Sequence, residues 1–466
     1  MIELDTIAAV STPRGKGGVA LIRISGDRAI ELAEKVFTPV GGRKLSEAEP
    51  RRQLYGRIFA PDEKGGFEPV DDGMATVFYA PSSFTGEDTV EICCHGGTLV
   101  TETVLSACLA AGCRAALPGE FTRRAFVAGK ISLSQAESLG ALLEAKTYDQ
   151  LLLSRNGLDG GLSDRVRAIY EALRAVMASM YAKIDFPDED LSSMTNDEIT
   201  NALSNAKSEL EKLASTYKTG RAVAEGVKTV ICGRTNAGKS SLYNKIVGRE
   251  AAIVTDIEGT TRDIIEETVP FGGITLRLCD TAGLRQTEDK VESIGIDRAN
   301  KALSEAELVL AVIDSTRPLD ADELESLKMI SALPCCKIAV LNKCDASTSC
   351  TETLDTTKKM FEHTAQISAL TGDGMDELSS LVSSLFREGN IDLRHDAVIT
   401  GARQYSSILR GIEGLENALS ALAAGLPFDL CSSDIELSMS ALSELDGRQV
   451  DEDIVAEIFS HFCVGK

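Results

Sequence analysis

Five short stretches combine small, hydroxylic and charged residues in an order that suits phosphate chemistry. "GRTNAGKS", Gly233 to Ser240, follows an apolar run and precedes a helical one. Its glycines let backbone N–H groups curl around phosphate oxygens, Lys239 reaches the outer phosphates, and the Ser240 hydroxyl suits Mg²⁺. "GTTRD", Gly259 to Asp263, offers Thr261 to close that Mg²⁺ shell. "DTAG", Asp280 to Gly283, puts Asp280 within reach of the metal through water and the Gly283 N–H near a γ-phosphate. "NKCD", Asn342 to Asp345, ends another β-like run; Asp345 can accept from both the ring N–H and the amino group of guanine, a pair adenine lacks. "SAL", Ser368 to Leu370, would give a backbone N–H to the guanine oxygen. The order of these elements predicts a GTPase whose ligand is GTP rather than ATP.

How water is activated is less direct. Many GTPases carry a glutamine just after Asp-x-x-Gly, but this chain has Leu284, which cannot hydrogen-bond. Glu292 is the candidate replacement, although spacing alone favours a solvated helix charge like its neighbours Glu288 and Asp289.

The elements that must position these residues can be read from periodicity. From about Val227 to Phe386, β runs ("VKTVICG", "TLRLCDT", "ELVLAVID", "KIAVLNK", "HTAQIS") alternate with helical stretches, which predicts a doubly wound, mainly parallel sheet. On either side, apolar residues recur at three and four, predicting long helices. The first stretch mixes β-like runs with helices near residues 28–37 and 98–111 and reads as a small α+β domain ending near Pro118. The expected division is therefore 1–118 (α+β), 119–217 (helical), 218–386 (α/β P-loop GTPase domain) and 387–466 (helical). The simplest architecture inserts the α/β domain into one all-helical domain.

Composition narrows the class. With 466 residues, 43% hydrophobic and 26% charged, the chain is long enough for several cores. It holds no apolar run of bilayer length and no signal-like start, so a soluble cytoplasmic protein is expected. A net charge of −23 argues against a general nucleic-acid binder, so any RNA contact must use a local patch. Twelve cysteines occur without a Cys-x-x-Cys, and Cys93-Cys94-His95 sits in a strand-like run, where buried thiols are the simpler reading than zinc. The ending "HFCVGK" puts Cys463 fourth from the end, but Gly465 and Lys466 break a prenylation box. Before it, "DEDIVAEIFSHF" predicts a helix with Asp451 as N-cap and Ile454, Val455, Ile458, Phe459 and Phe462 on one face.

The whole chain from "DTIAA" to Lys466 resembles the tRNA-modifying GTPase family called MnmE or TrmE. The resemblance rests on "GRxNAGKSSLxN", "IVTDIxGTTRD", "DTAGLR", "NKxD" and a terminal "FC[aliphatic]GK". It implies an N-terminal tetrahydrofolate-binding α+β domain that dimerises, and a GTPase domain inserted into a helical one. It also implies a homodimer working with an FAD- and NADH-using partner of the MnmG or GidA type, in a heterotetramer. Together they would add an aminomethyl or carboxymethylaminomethyl group to carbon 5 of the tRNA wobble uridine.

Carried over by residue, the resemblance makes Asn236, Thr255, Ile257 and Thr260 the ligands of a K⁺ ion, with Ser240 and Thr261 on Mg²⁺. A monovalent cation there can neutralise developing charge as an arginine finger would. The nucleotide set becomes Asn236, Ala237, Gly238, Lys239, Ser240 and Ser241; Thr255, Asp256, Ile257, Glu258, Gly259, Thr260 and Thr261; Asp280, Thr281, Ala282 and Gly283; Asn342, Lys343 and Asp345; and Ser368, Ala369 and Leu370. Glu292 falls on the family's catalytic glutamate, which reverses the reading from spacing. Thr235 stands where many members have proline. Arg23, Glu91, Lys130 and Lys466 match positions that contact 5-formyltetrahydrofolate. Without the family, Arg23 and Glu91 read as surface or paired charges in strands. Cys463 is either a nucleophile toward the uridine ring or a structural thiol beside the folate. Two competitors share the GTPase chemistry. One is a ribosome-assembly GTPase of the Era or Der kind, which typically appends a basic RNA-binding domain; the other is an iron-uptake GTPase, which needs membrane spans.

Overall fold

The computed structural model describes the chain apart from residues 1–4, 14, 63–65, 186–193, 249–265, 280–301, 347–349, 388, 390, 448–451 and 466. It divides into two compact units, one of residues 1–140 with 443–466 and one of residues 141–442. The expected boundaries at 118 and 387 fall inside the first and second units respectively.

The first unit is built on a sheet of β1 (Ile7–Val10), β2 (Val19–Ser25), β3 (Phe37–Pro39), β4 (Gln53–Pro61), β5 (Phe67–Phe78), β6 (Thr89–His95) and β7 (Arg114–Ala115), in the order β3-β4-β5-β6-β2-β1-β7. Pairing is antiparallel except between β1 and β7. Strand alternation decides which face is covered. Ile22, Ile24, Val90, Ile92, Ala75 and Val77 are buried in one core with Leu32, Val36, Val104 and Cys108 of helices Ala29–Val36 and Thr98–Ala111. On the opposite face Leu21, Arg23, Glu91 and Cys93 stay half-buried. Cys94 belongs to the covered face, and burial pushes its thiol up to about 11. No group of three or more metal-ligating side chains occurs among the described residues.

The C-terminal segment belongs to this unit. Val455 and Phe459 of helix Glu452–Ser460 pack on Leu133 and Ala136 of helix Leu133–Glu144. Beyond the helix, Val464 forms an antiparallel bridge to Pro118, and the Ser11 hydroxyl donates to the Gly465 carbonyl at 2.9 Å. Gly465 has φ +100°, and a Cβ there would stand 2.1 Å from the Val10 carbonyl oxygen, so only glycine lets the tail lie this close. The glycine of the tail thus has a local packing reason.

The second unit carries the sheet β8 (Val227–Cys232), β9 (Glu266–Phe271), β10 (Ile274–Cys279), β11 (Leu308–Asp314), β12 (Cys336–Asn342) and β13 (His363–Gln366), in the order β13-β12-β11-β8-β10-β9. All neighbours pair in parallel except the edge pair β9–β10. The central strand "LVLAVID" is buried at every position, as a parallel strand covered on both faces must be. The flanking helices come from both sides of this insertion. Helix Asn196–Ser215 starts on a capping box in which the Thr195 hydroxyl accepts from Glu198 N at 3.2 Å and the Glu198 carboxylate accepts from Thr195 N at 2.7 Å. It packs on helix Ala402–Ala423: Lys207 pairs with Glu416 at 2.9 Å, and Gly411 lies against Leu210. The two sequence-distant helical parts therefore do meet, and the α/β domain is inserted between them. No described helix is long and apolar enough to cross a membrane.

Candidate functional site

The phosphate loop leaves β8 and enters helix Lys239–Gly248, whose N-terminus supplies the N–H groups and positive dipole end that anions use. Three of its residues have left-handed φ: Gly233 at +135°, Asn236 at +63° and Gly238 at +99°. Gly238 is irreplaceable on steric grounds, since a Cβ there would stand 2.0 Å from the Asn342 amide nitrogen. Lys239 donates to the loop's own Arg234 carbonyl at 2.7 Å, which holds the ammonium over the loop. Ser240 and Ser241 are exposed on the first helical turn, open to a phosphate-bound cation. Asn236 is exposed as well.

Asn342 ties this loop to the other two. It is buried, donates from Nδ2 to the Ala237 carbonyl at 2.8 Å, and accepts at Oδ1 from Ala369 N at 2.9 Å. One side chain thus locks "NAGK", "NKCD" and "SAL" in register, which neither a Gly-rich turn nor an isolated "NKCD" would need. Cys344 N donates to the Ile367 carbonyl at 3.1 Å, a second tie between the same loops. Ser368 is fully buried; its N–H goes to the Asp373 carbonyl and its hydroxyl accepts from Thr371 N at 3.1 Å. With the Ala369 N–H taken by Asn342, the N–H left for a guanine oxygen is that of Leu370, which no described residue engages. The Leu370 side chain is 80% exposed. Asp345 is exposed as well.

Thr255, Asp256, Ile257, Glu258, Gly259, Thr260, Thr261, Asp280, Thr281, Ala282, Gly283 and Glu292 lie outside the described residues, as does Lys466.

In the first unit, Arg23 and Glu91 face each other across β2 and β6. Arg23 Nε donates to Glu91 Oε1 at 2.9 Å, and the guanidinium lies 5.4 Å from the Phe84 ring and 5.6 Å from Phe121. Lys130 donates to the Pro81 carbonyl at 2.8 Å. Cys463 is exposed, with its carbonyl 3.5 Å from Gly119 N. Behind this region is a buried network that no motif announces. Arg124 donates to Asp5, Glu87 and Glu120, and Arg114 bridges Asp5 and Glu120. Hydrogen bonding to Arg114 chiefly holds the Asp5 carboxyl below the usual range. For Glu120 burial is the largest influence and pushes upward, but bonds from Arg114, Leu117 N and Arg124 overcome it and the net direction is down.

Comparison with known proteins places the chain among relatives. The MnmE helical domain family matches residues 133–463, and the family described as GTP-binding protein TrmE N-terminus matches residues 6–130. The protein named tRNA modification GTPase MnmE of Lactococcus lactis subsp. lactis (strain IL1403) is 40% identical over 465 residues, covering 100% of this chain and 99% of that protein. Its namesake in Lactiplantibacillus plantarum is 38% identical over 466 residues with the same coverage, and that of Acetivibrio thermocellus is 38% identical over 468 residues, covering 100% of both. Full-length similarity at this level, on a chain whose three nucleotide loops are tied by one buried asparagine, establishes the relationship: the chain belongs to the MnmE (TrmE) family of tRNA modification GTPases.

Proposed function

We propose that this protein is a Mg²⁺- and K⁺-dependent GTP hydrolase that acts in the cytoplasm as a homodimer. With an FAD- and NADH-dependent MnmG-type partner it installs an aminomethyl or carboxymethylaminomethyl group at carbon 5 of the tRNA wobble uridine. The one-carbon unit comes from a tetrahydrofolate. The observation that carries the nucleotide half is the Asn342 tie between Ala237 and Ala369, which holds the phosphate and base loops at a fixed separation.

In this reading Asn342, Lys343, Asp345 and the Ser368–Leu370 loop select guanine, while Gly238, Lys239 and the first helical turn hold the phosphates. Ser240 with Thr261 would hold Mg²⁺, and Asn236 with Thr255, Ile257 and Thr260 would hold K⁺; bound there, the two cations would supply positive charge to offset the charge developing on the transferring phosphoryl group. Glu292 orients the attacking water where Leu284 cannot. Attack at the γ-phosphorus breaks the bond to the β-phosphate oxygen and leaves GDP and inorganic phosphate.

Residues 1–118 bind the folate through Arg23 and Glu91, joined by Lys130 from the next segment and Lys466 from the C-terminal one. A carboxylate suits the donor edge of a pterin, and the cations suit the glutamate tail. The remaining segments are 119–217 and 387–466 (helical) and 218–386 (GTPase).

The test is mass analysis of wobble nucleosides in tRNA from cells lacking this protein, complemented with wild type, Glu292→Ala, Cys463→Ser or Lys466→Ala. Wild type should restore the modified uridine and Glu292→Ala should not. Failure of Cys463→Ser alone, with folate binding and GTP hydrolysis intact, would assign the thiol a chemical step. Wobble uridines unaffected by loss of the protein would overturn the reading in favour of a regulatory GTPase.

A further inference from the structure

The guanine loop is held from behind by a turn that belongs to none of the phosphate or base motifs. Asp314, the last residue of β11, is 7% exposed and lies opposite Asn342 in the β11–β12 ladder. Its two oxygens are divided between separate tasks. Oδ1 accepts from Thr316 N at 3.0 Å and from the Thr316 hydroxyl at 2.6 Å, which fixes the carboxylate. Oδ2 accepts from the Lys343 ammonium at 2.6 Å. Arg317, 3.9 Å from the same oxygen, is itself engaged by Glu323 at 2.9 Å. The next residue, Ser315, donates through both its N–H (3.1 Å) and its hydroxyl (2.7 Å) to the Asn342 carbonyl. Two consecutive residues of the turn therefore grip two consecutive residues of "NKCD".

Lys343 is not an ordinary surface lysine. Its φ of +69° is costly for a non-glycine residue, and its side chain is 38% exposed although the ammonium is pinned. A long side chain fixed at both ends presents its methylene stem as a rigid apolar strip next to Asp345. A flat purine can settle on that strip without paying to order it.

We propose that Asp314 is a positioning residue for guanine: by holding the Lys343 ammonium it sets the stem against which the base packs, and so sets nucleotide affinity. The inference rests on the reading of this site as a GTP site. A plain structural pair joining β11 to β12 is the competing account, and it predicts lost stability instead of lost affinity.

The experiment is calorimetric titration of the full-length protein with GDP for wild type, Asp314→Asn, Lys343→Met and the double variant, beside thermal unfolding without nucleotide and GTP turnover. Asp314→Asn should weaken GDP about tenfold, since it removes the charge behind one hydrogen bond, and raise KM for GTP with little change in kcat. Lys343→Met should weaken GDP at least as much, and the double variant no further, because both changes break one interaction. Nucleotide-free unfolding midpoints should fall only slightly, and no further in the double variant than in either single one. Unchanged GDP affinity in Asp314→Asn or additive affinity losses in the double variant would each overturn the proposal. Wild type that binds no GDP would instead remove the GTP reading beneath it.

Discussion

The base-and-phosphate loops and the Arg23–Glu91 region both hold charged residues matched to a known family, yet they differ in what their side chains are satisfied by. In the nucleotide region Asn342 spends its amide on two other loops, Asp345 stands exposed without a described partner, and Gly238 admits no side chain. Those features make sense when something is to be held between the loops. In the Arg23–Glu91 region the charges answer one another: Arg23 with Glu91, Lys130 with the Pro81 carbonyl, and Arg124 with Asp5, Glu87 and Glu120. Self-satisfied pairs look the same whether they await a ligand or brace a sheet. Geometry alone therefore speaks more directly for GTP than for folate.

That contrast can be broken most forcefully at the phosphate loop. Gly238→Ala should abolish GTP binding, because its Cβ meets the Asn342 amide nitrogen; Lys239→Ala should slow turnover by about 10²–10³-fold, as expected on removing one preorganised donor to the transferring phosphoryl group. Phosphate-release assays read both. Asn342→Ala removes two buried hydrogen bonds, each contributing about 1 kcal/mol, and should weaken GDP by about 30-fold in calorimetry while leaving the first unit's unfolding transition untouched. Arg23→Ala should give the converse result, loss of 5-formyltetrahydrofolate binding by equilibrium dialysis with GTP turnover retained. If Arg23→Ala binds folate normally, the Arg23–Glu91 pair is a sheet brace.

The smallest effect expected concerns acid stability. Asp5 and Glu120 have carboxyls held below their ordinary values by Arg114 and Arg124. A depressed folded value means that their stabilising contribution is fully present above the unfolded pKa, about 4, and is lost as pH falls through the lower folded values. Unfolding midpoints of wild type should therefore drop below about pH 4. Arg124→Met, which lacks the principal buried cation, should start lower at neutral pH and show a flatter acid slope in the first unit's transition.

Much of the nucleotide site was legible because a P-loop and "NKCD" are local: their residues are contiguous and their backbone demands are met by Gly and Asn in place. Alternation in "VALIRIS" and "TVEICC" and the continuous apolar run "LVLAVID" likewise announced which strands are covered on one face and which on two. What could not be read were partners far apart in sequence. Nothing in "IDST" says that Asp314 meets Lys343, although a carboxylate closing an apolar strand is a signal worth following. Nothing near Arg124 says that Asp5, 119 positions earlier, is its partner. The tail's contacts with Val10 and Ser11, where a glycine is pressed on a carbonyl, join positions more than 450 residues apart and had no local signal either. The Lys239 contact with Arg234 also had no sequence signal.

The most direct test of the central claim is the affinity of the purified protein for GDP against ADP, repeated with Asp345→Asn. The account predicts that GDP binds and ADP does not measurably compete, and that Asp345→Asn loses GDP about 10–100-fold because one charged acceptor serves two guanine donors. Equal affinity for GDP and ADP, or a Asp345→Asn variant that binds GDP as wild type does, would contradict it.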